Sequence, residues 1–503
     1  MKQFLFLMLF LSYNLFAQKS ANVLVRPLVN AGDNSYYWFA DGFYNSLIYN
    51  LGIVKSINMQ SIEEMNSAYN IQENVNQKPD KKILSKLSLD LIIYGSYTIK
   101  EKSISITIKL KSRGESKKTA TFTTNGTLDS LEVLEKELIQ SIFEECKEIL
   151  PGDVKTPDLT DIELHKISLN KLPLKSFQSY SKGLNLQNKN PGEAMKYFLA
   201  AAKESSEFPG IYLAIGEHLS LRQNLPDNSL QYLNKALNIL KERKEEDTHN
   251  YLKVLSQLAL AYYKIGDRKN AFAHYILTKQ AFQKQNTSGV ALAFILNKLG
   301  TLYLDADNQD NAIDCFLVAK KIYENLDLYD SYYYAELQSS IGMFYFDSEK
   351  QNAILHLEDA KQSFEDNKYT NNTEYADCLT YIGNYHLLES KYNTAIDRYL
   401  KALEIYQKIG FTRSFFFASL LNNMGIIYLH KGDLNQAKSY FEKSKNLLEN
   451  LKLEESWTYS SALVNLTQTY YLLKEKDHYK KNLRLEWKMQ KRLINEQTKY
   501  VEE

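Results

Sequence analysis

Five segments of the chain share one layout, beginning at Leu255, Leu296, Leu337, Leu379 and Leu421. In each, a small residue (Ala259, Gly300, Gly342, Gly383, Gly425) is followed three positions later by a ring: Tyr262, Tyr303, Tyr345, His386 and Tyr428. A second apolar-periodic stretch follows, with Ala, a large residue four on and a small one three beyond, as in Ala312, Phe316 and Ala319, or Ala395, Tyr399 and Ala402, or Ala437, Phe441 and Ser444. The spacing predicts a helical hairpin, in which small residues let two backbones approach and the large residue fills the gap. Turn chemistry such as Gly266-Asp267 and Gly432-Asp433 separates the two helices. One hairpin cannot bury its own apolar face, so five in register imply a stack, an all-α superhelix.

These segments resemble the tetratricopeptide repeat, with small residues recurring every roughly 41 to 42 positions rather than the usual period of about 34. The run Leu421, Asn422, Asn423, Met424 and Gly425 is similar to the long-helix variety of kinesin light chains. Weaker copies extend the array to residues 176–475, with Gly183, Ala194, Phe198 and Ala201, then Gly216, Leu233 and Ala236; Tyr470 and, beyond that bound, Leu483 are the remnant of a last hairpin. Residues 476–503, with Lys480, Lys481, Arg484, Lys488 and Arg492, read as a solvated capping helix.

Residues 18–150 follow another pattern. A strand over Asn22 to Leu28, a helix over Trp38 to Leu51 and β-rich runs at Leu89 to Thr98, Ser103 to Lys111 and Thr119 to Thr124 precede an amphipathic helix over Leu128 to Leu150. Ile104, Ile106 and Ile108 alternate onto one face. The sum is a compact α/β domain with a second helix after its second strand. Its segments NVLVRPLVN, FADGFYNSLIYNL and LIIYGSYTIKEKSISITIKL resemble the TolB N-terminal-like domain, which implies an envelope or regulatory role. Gly95 reads as a bend or bulge, and Asp41 as a helix-start residue. Pro151, Gly152, Pro157 and Pro173 mark residues 151–175 as a linker with little regular structure, so the α/β domain and the array are expected to fold separately.

The chain is too apolar to be disordered, at 44% hydrophobic and 13% aromatic residues. Lys and Arg total 61 against 60 Asp and Glu, which leaves no global field for nucleic acid. Lys2, the apolar run Phe4 to Leu11 and Ala17 form the succession of a signal peptide over residues 1–17, with cleavage near Ala17 and a periplasmic or otherwise exported product. No later segment has the length of a membrane span. Cys146, Cys315 and Cys378 have neither disulfide nor metal spacing and read as small buried hydrophobes.

No phosphate loop, nucleophile elbow or zinc-protease helix is present, so no enzymatic activity and no cofactor is expected. Asp305, Asp307 and Asp310 lack the Gly and the terminal Glu of a calcium loop and read as an inter-helix turn. The candidate site is instead a column. Three positions before each small residue stand Ser256, Asn297, Ser339, Thr380 and Asn422, all small and polar; a second column one residue after it includes Thr301 and Asn384. The resemblance implies that both columns face the concave groove, where wetted hydroxyl and amide groups would bond the backbone of a bound peptide. The expected protein is a scaffold or adaptor in a bacterial envelope complex with a protein or peptide partner. A peptide-responsive sensor or regulatory subunit and a structural part of a secretion or surface-appendage assembly are the alternatives.

Overall fold

The computed structural model describes residues 21–54, 57–60, 89–113, 119–150, 154 and 159–488, apart from 169, 171, 285–288 and 347. The expected signal peptide and the second helix of the α/β domain lie outside the described residues. The chain divides into two compact units, one of residues 1–259 with 273–296 and 321–328, the other of residues 260–272 with 297–320 and 329–503.

In the first unit, β1 (Ala21–Val25), β2 (Val29–Asn30), β3 (Ile57–Gln60), β4 (Leu91–Lys100), β5 (Ser103–Ser112) and β6 (Thr119–Thr127) form one sheet of order β3-β1-β4-β5-β6, with β2 also on β4. β1 runs parallel to β3 and β4, and β4, β5 and β6 are antiparallel. The alternating Ile104, Ile106 and Ile108 enter one core with Leu134, Leu138 and Ile142 of α2 (Leu131–Ile149). Gly95 is not a bulge: β4 stays in register, and a Cβ there would lie 2.0 Å from the Thr107 carbonyl oxygen, so only glycine permits the close approach of β5. Asp41 does lie in the first turn of α1 (Phe39–Leu51), where its carboxylate accepts from Asn185 rather than capping the helix.

The expected linker is corrected. Asp161–Ser168 is a helix, α3, started by a capping box in which Thr160 and Glu163 bond each other's backbone N–H. Lys166 donates to the Lys244 carbonyl at 2.7 Å, and Asn170 to Asn50 Oδ1 at 2.7 Å. The next helices are α4 (Leu174–Leu186), α5 (Pro191–Glu204), α6 (Pro209–Glu217), α7 (Pro226–Glu242) and α8 (His249–Ile265). Phe177 of α4 enters the sheet's own core beside Trp38 and Phe39, and Tyr49 packs edge-on to Phe208. Asn250 of α8 donates to the Tyr49 carbonyl at 2.8 Å. The α/β layer is therefore continuous with the first helices, because α1 buries one side on the sheet and the other on α4.

The remaining helices are α9 (Arg268–Lys284), α10 (Val290–Asp305), α11 (Gln309–Asn325), α12 (Tyr332–Phe344), α13 (Lys350–Asp366), α14 (Thr373–Leu388), α15 (Tyr392–Lys408), α16 (Phe415–His430), α17 (Leu434–Asn450), α18 (Trp457–Leu472) and α19 (476–488). The hairpin geometry follows the sequence reading closely. A Cβ on Gly300, Gly383 or Gly425 would stand 2.4, 2.3 or 2.5 Å from the ring of Phe316, Tyr399 or Phe441 respectively. Ser331, Asn372, Ser414 and Ser456 each accept from the N–H three residues on, starting α12, α14, α16 and α18. Between the paired helices, Gly266, Asp307, Ser390 and Gly432 turn the chain with positive φ. In the second unit, the Asp305, Asp307 and Asp310 trio is such a turn, with Asp305 engaged by Arg268 at 2.7 Å.

A candidate peptide-binding channel

The polar columns are partly withdrawn from solvent. Asn297 is 1% exposed, Thr301, Ser339 and Asn422 are buried as well, and Thr380 and Asn384 are half-buried. Thr301 donates to the Asn297 carbonyl and Thr380 to that of Ala376, while Ser339 bonds the Cys378 thiol. Asn384 Oδ1 accepts from Tyr399 at 2.6 Å and from Asn423 at 2.9 Å, and Asn422 donates to Ser461 at 3.3 Å. In the first unit, half-buried Ser256 donates to the Lys253 carbonyl. Ser339, Asn384 and Asn422 thus link one hairpin to the next, while Ser256, Thr301 and Thr380 bond within their own helices. The exception is Asn297 Oδ1, buried with no donor.

Charged and aromatic side chains of the second unit occupy the inner helix faces instead. Lys298 of α10 is 6% exposed and Glu336 of α12 is 5% exposed, and the two are ion-paired. Lys298 also stands over the Tyr263 ring, 4.9 Å from its centroid. The Arg268 guanidinium lies 4.9 Å from the ring centroids of Tyr263 and Phe415 and 5.4 Å from that of Phe416. Rings at the start of α16 therefore meet the turn between α8 and α9, so the successive hairpins wind far enough to bring distant repeats together within this unit. The α14 residues Glu374, Asp377 and Tyr381 complete the lining.

Electrostatics confirm that these side chains face one another. Burial raises the Glu336 carboxyl, Lys298 opposes the rise and Glu374 adds to it. Burial pushes Asp377 up to about 7, against the hydrogen bond from the Tyr406 hydroxyl and with Glu374 and Glu336 adding to the rise. At Glu374 burial also raises the pKa, yet Lys298, Lys264 and bonds from Thr373 and Tyr332 outweigh it and the net direction is down. Burial lowers the Lys264 ammonium despite Glu374, Glu336 and Asp377 nearby. Tyr381 is raised by burial and by Asp377, with Tyr263, Asp305 and Arg268 all within reach. Residues of α8, α10, α12 and α14 thus gather into one cluster of charged and aromatic side chains.

The signal for this lining was present in the sequence but displaced. Lys298 and Tyr381 stand two residues before the small position, and Glu336 and Asp377 six before it. Those offsets are four apart, one helical turn, and form a single stripe beside the polar column. Lys298 is the one charge within Val290–Leu304.

Among known families, residues 418–447 match the tetratricopeptide repeat. No curated protein matches the sequence. Among solved structures, a Rap protein complexed with competence and sporulation factor is 14% identical with a TM-score of 0.49, covering 73% of this chain and 98% of that one. The apo form of RapI is 18% identical, TM-score 0.40, covering 55% and 91%. The repeats of a putative kinesin light chain from Podosopora anserina are 11% identical, TM-score 0.32, covering 40% and 95%. Among the described residues no helix is long and apolar enough to cross a membrane.

Proposed function

We propose that this protein is a non-catalytic receptor and adaptor, whose second unit takes a peptide or an extended segment of a partner protein into the channel between its inner helix faces. One observation supports this above others: charged groups that a solenoid ordinarily leaves in water are gathered on the inner faces, where desolvation costs free energy that folding alone does not require. Such groups are retained where they recognise something. The same channel favours a peptide-responsive regulatory subunit over a part of a static assembly, because rings of α16 close on Arg268 at the far side of the winding and an occupant would have to shift them.

The first unit's resemblance to a TolB N-terminal-like domain supports docking to an envelope component. Export with cleavage after Ala17 is proposed from Lys2, the apolar run to Leu11 and the small residue before Gln18. Mass spectrometry of the mature protein should find Gln18 first; a product that keeps Met1 would refute export by this route. For the receptor reading, the purified chain is equilibrated with a pool of random decapeptides. It should retain a subset in one-to-one ratio, and no retention at any peptide concentration up to about millimolar would contradict the reading.

A further inference from the structure

In the second unit the first helix of one hairpin is covered by the first helix of the next, and α16 shows which positions that cover uses. Phe415 packs against the cluster that holds Tyr459 and Leu463 of α18, and Ile426 and Leu429 against the one that holds Leu466 and Tyr470. Asn422, between them, bonds Ser461 of α18 and is 4% exposed. The repeat brings the same four positions, 42 residues on, to Trp457, Val464, Gln468 and Tyr471 of α18 itself. There they are uncovered: Trp457 is 83%, Tyr471 67% and Val464 41% exposed, and Gln468 is exposed as well. Like α16, α18 carries no Asp, Glu, Lys or Arg to hydrate that side. A hairpin that ends a stack in water is polar on its outer face, and an exposed apolar stripe marks a contact surface instead.

We infer that α18 of a second copy of this chain covers the stripe, packed antiparallel about a two-fold axis at Val464. The spacing identifies the occupant. Trp457 and Tyr471 stand seven residues to either side of Val464, about two helical turns, so a helix laid against its own reverse sets each Trp457 on the other copy's Tyr471 and the two Val464 side chains on each other. The charges obey the same symmetry. Glu454 and Lys474, both exposed, stand ten residues to either side of Val464, so antiparallel pairing brings each carboxylate towards the other copy's ammonium, whereas parallel pairing would set like charges together. Two rings, a valine and a glutamine from each copy bury roughly 1,000 Å² in total, the lower end for a specific interface, which suits a dimer with a Kd on the order of 10 µM.

Sedimentation velocity of the full chain from about 1 to 100 µM tests this. The parent should pass from monomer to dimer across that range. Val464→Asp, which sets two carboxylates together on the axis, should weaken association at least about tenfold and keep the parent's circular dichroism, because the side chain is exposed in the single chain. Single cysteines read the register, since Cys146, Cys315 and Cys378 are buried. Under mild oxidation Val464→Cys should form a disulfide between copies, while Trp457→Cys, which the axis places about 20 Å from its counterpart, should not. A parent that stays monomeric at about 100 µM would leave the stripe to another protein and overturn the inference. A dimer that Val464→Asp leaves intact, or cross-linking at 457 in preference to 464, overturns it by placing the contact elsewhere. The parent's own sedimentation and the cysteine pair decide the matter even if the Asp variant folds poorly.

Discussion

Lys298 on α10 and Glu336 on α12 form an ion pair across neighbouring inner helices, with both residues almost wholly removed from solvent. Removing one member leaves the other charged and buried, which costs more than the pair itself contributes. Lys298→Met alone should lower stability by about 2 to 4 kcal/mol, and Glu336→Gln by less, since Gln keeps its hydrogen bonds. The double variant Lys298→Met, Glu336→Gln should recover at least half of the loss. Urea unfolding followed by circular dichroism of all the variants reads this directly; a double variant as unstable as the sum of its singles would mean that the pair is not coupled.

The close helix approach at Gly300 gives a second expectation. A Cβ there meets the fully buried Phe316 ring, which cannot yield without moving its helix. Gly300→Leu should therefore cost at least about 1 to 3 kcal/mol through overpacking, while Gly432→Ala, with open space around its Cβ but a positive φ, should cost about 1 kcal/mol through backbone strain. Thermal unfolding should rank the two in that order.

How much of this was legible in the sequence depends on the scale of the feature. The hairpins were, because Gly300, Gly383 and Gly425 are each matched by a ring at fixed offset, and such spacing has one economical solution. The sheet was legible from the isoleucine alternation of β5. The site was not. Asn297 and Asn422 read as ligand groups because the resemblance places their position on an inward face, but both are buried and Asn422 bonds Ser461 of α18. That burial depends on contacts between residues as much as 39 apart, which no local pattern encodes. The linker expectation rests on Pro157 and Pro173, which do mark breaks, but between them the Thr160-x-x-Glu163 capping box starts α3.

Glu245 of the first unit makes a pH prediction. The residue is fully buried with neither carboxylate oxygen hydrogen-bonded, and burial raises it to about 7, against Arg243 and Lys166 and with Asp247 adding to the rise; the Tyr49 hydroxyl also lies within reach. An acid whose pKa is raised by folding binds more protons folded than unfolded. Its stabilising effect is therefore complete below the ordinary glutamate range and is lost as pH rises towards about 7. Glu245→Gln should match the parent near pH 4 and exceed it by about 1 to 3 kcal/mol at pH 8. Denaturant titrations at the two pH values check this, and an equal difference at both would show that folding leaves the Glu245 pKa unshifted.

Where a peptide lies when bound tests the central claim most directly. Replacing Tyr381, on the channel wall, with the photoreactive p-benzoylphenylalanine exchanges one aromatic side chain for another; the same replacement at Trp457, 83% exposed on α18, serves as the outer reference. Each protein is illuminated with the retained decapeptide pool and the adduct is located by mass spectrometry. The channel account predicts a peptide adduct at position 381 that excess unlabelled pool suppresses, and little at 457. Specific adducts at 457 with none at 381 would place the ligand on an outer face and contradict it.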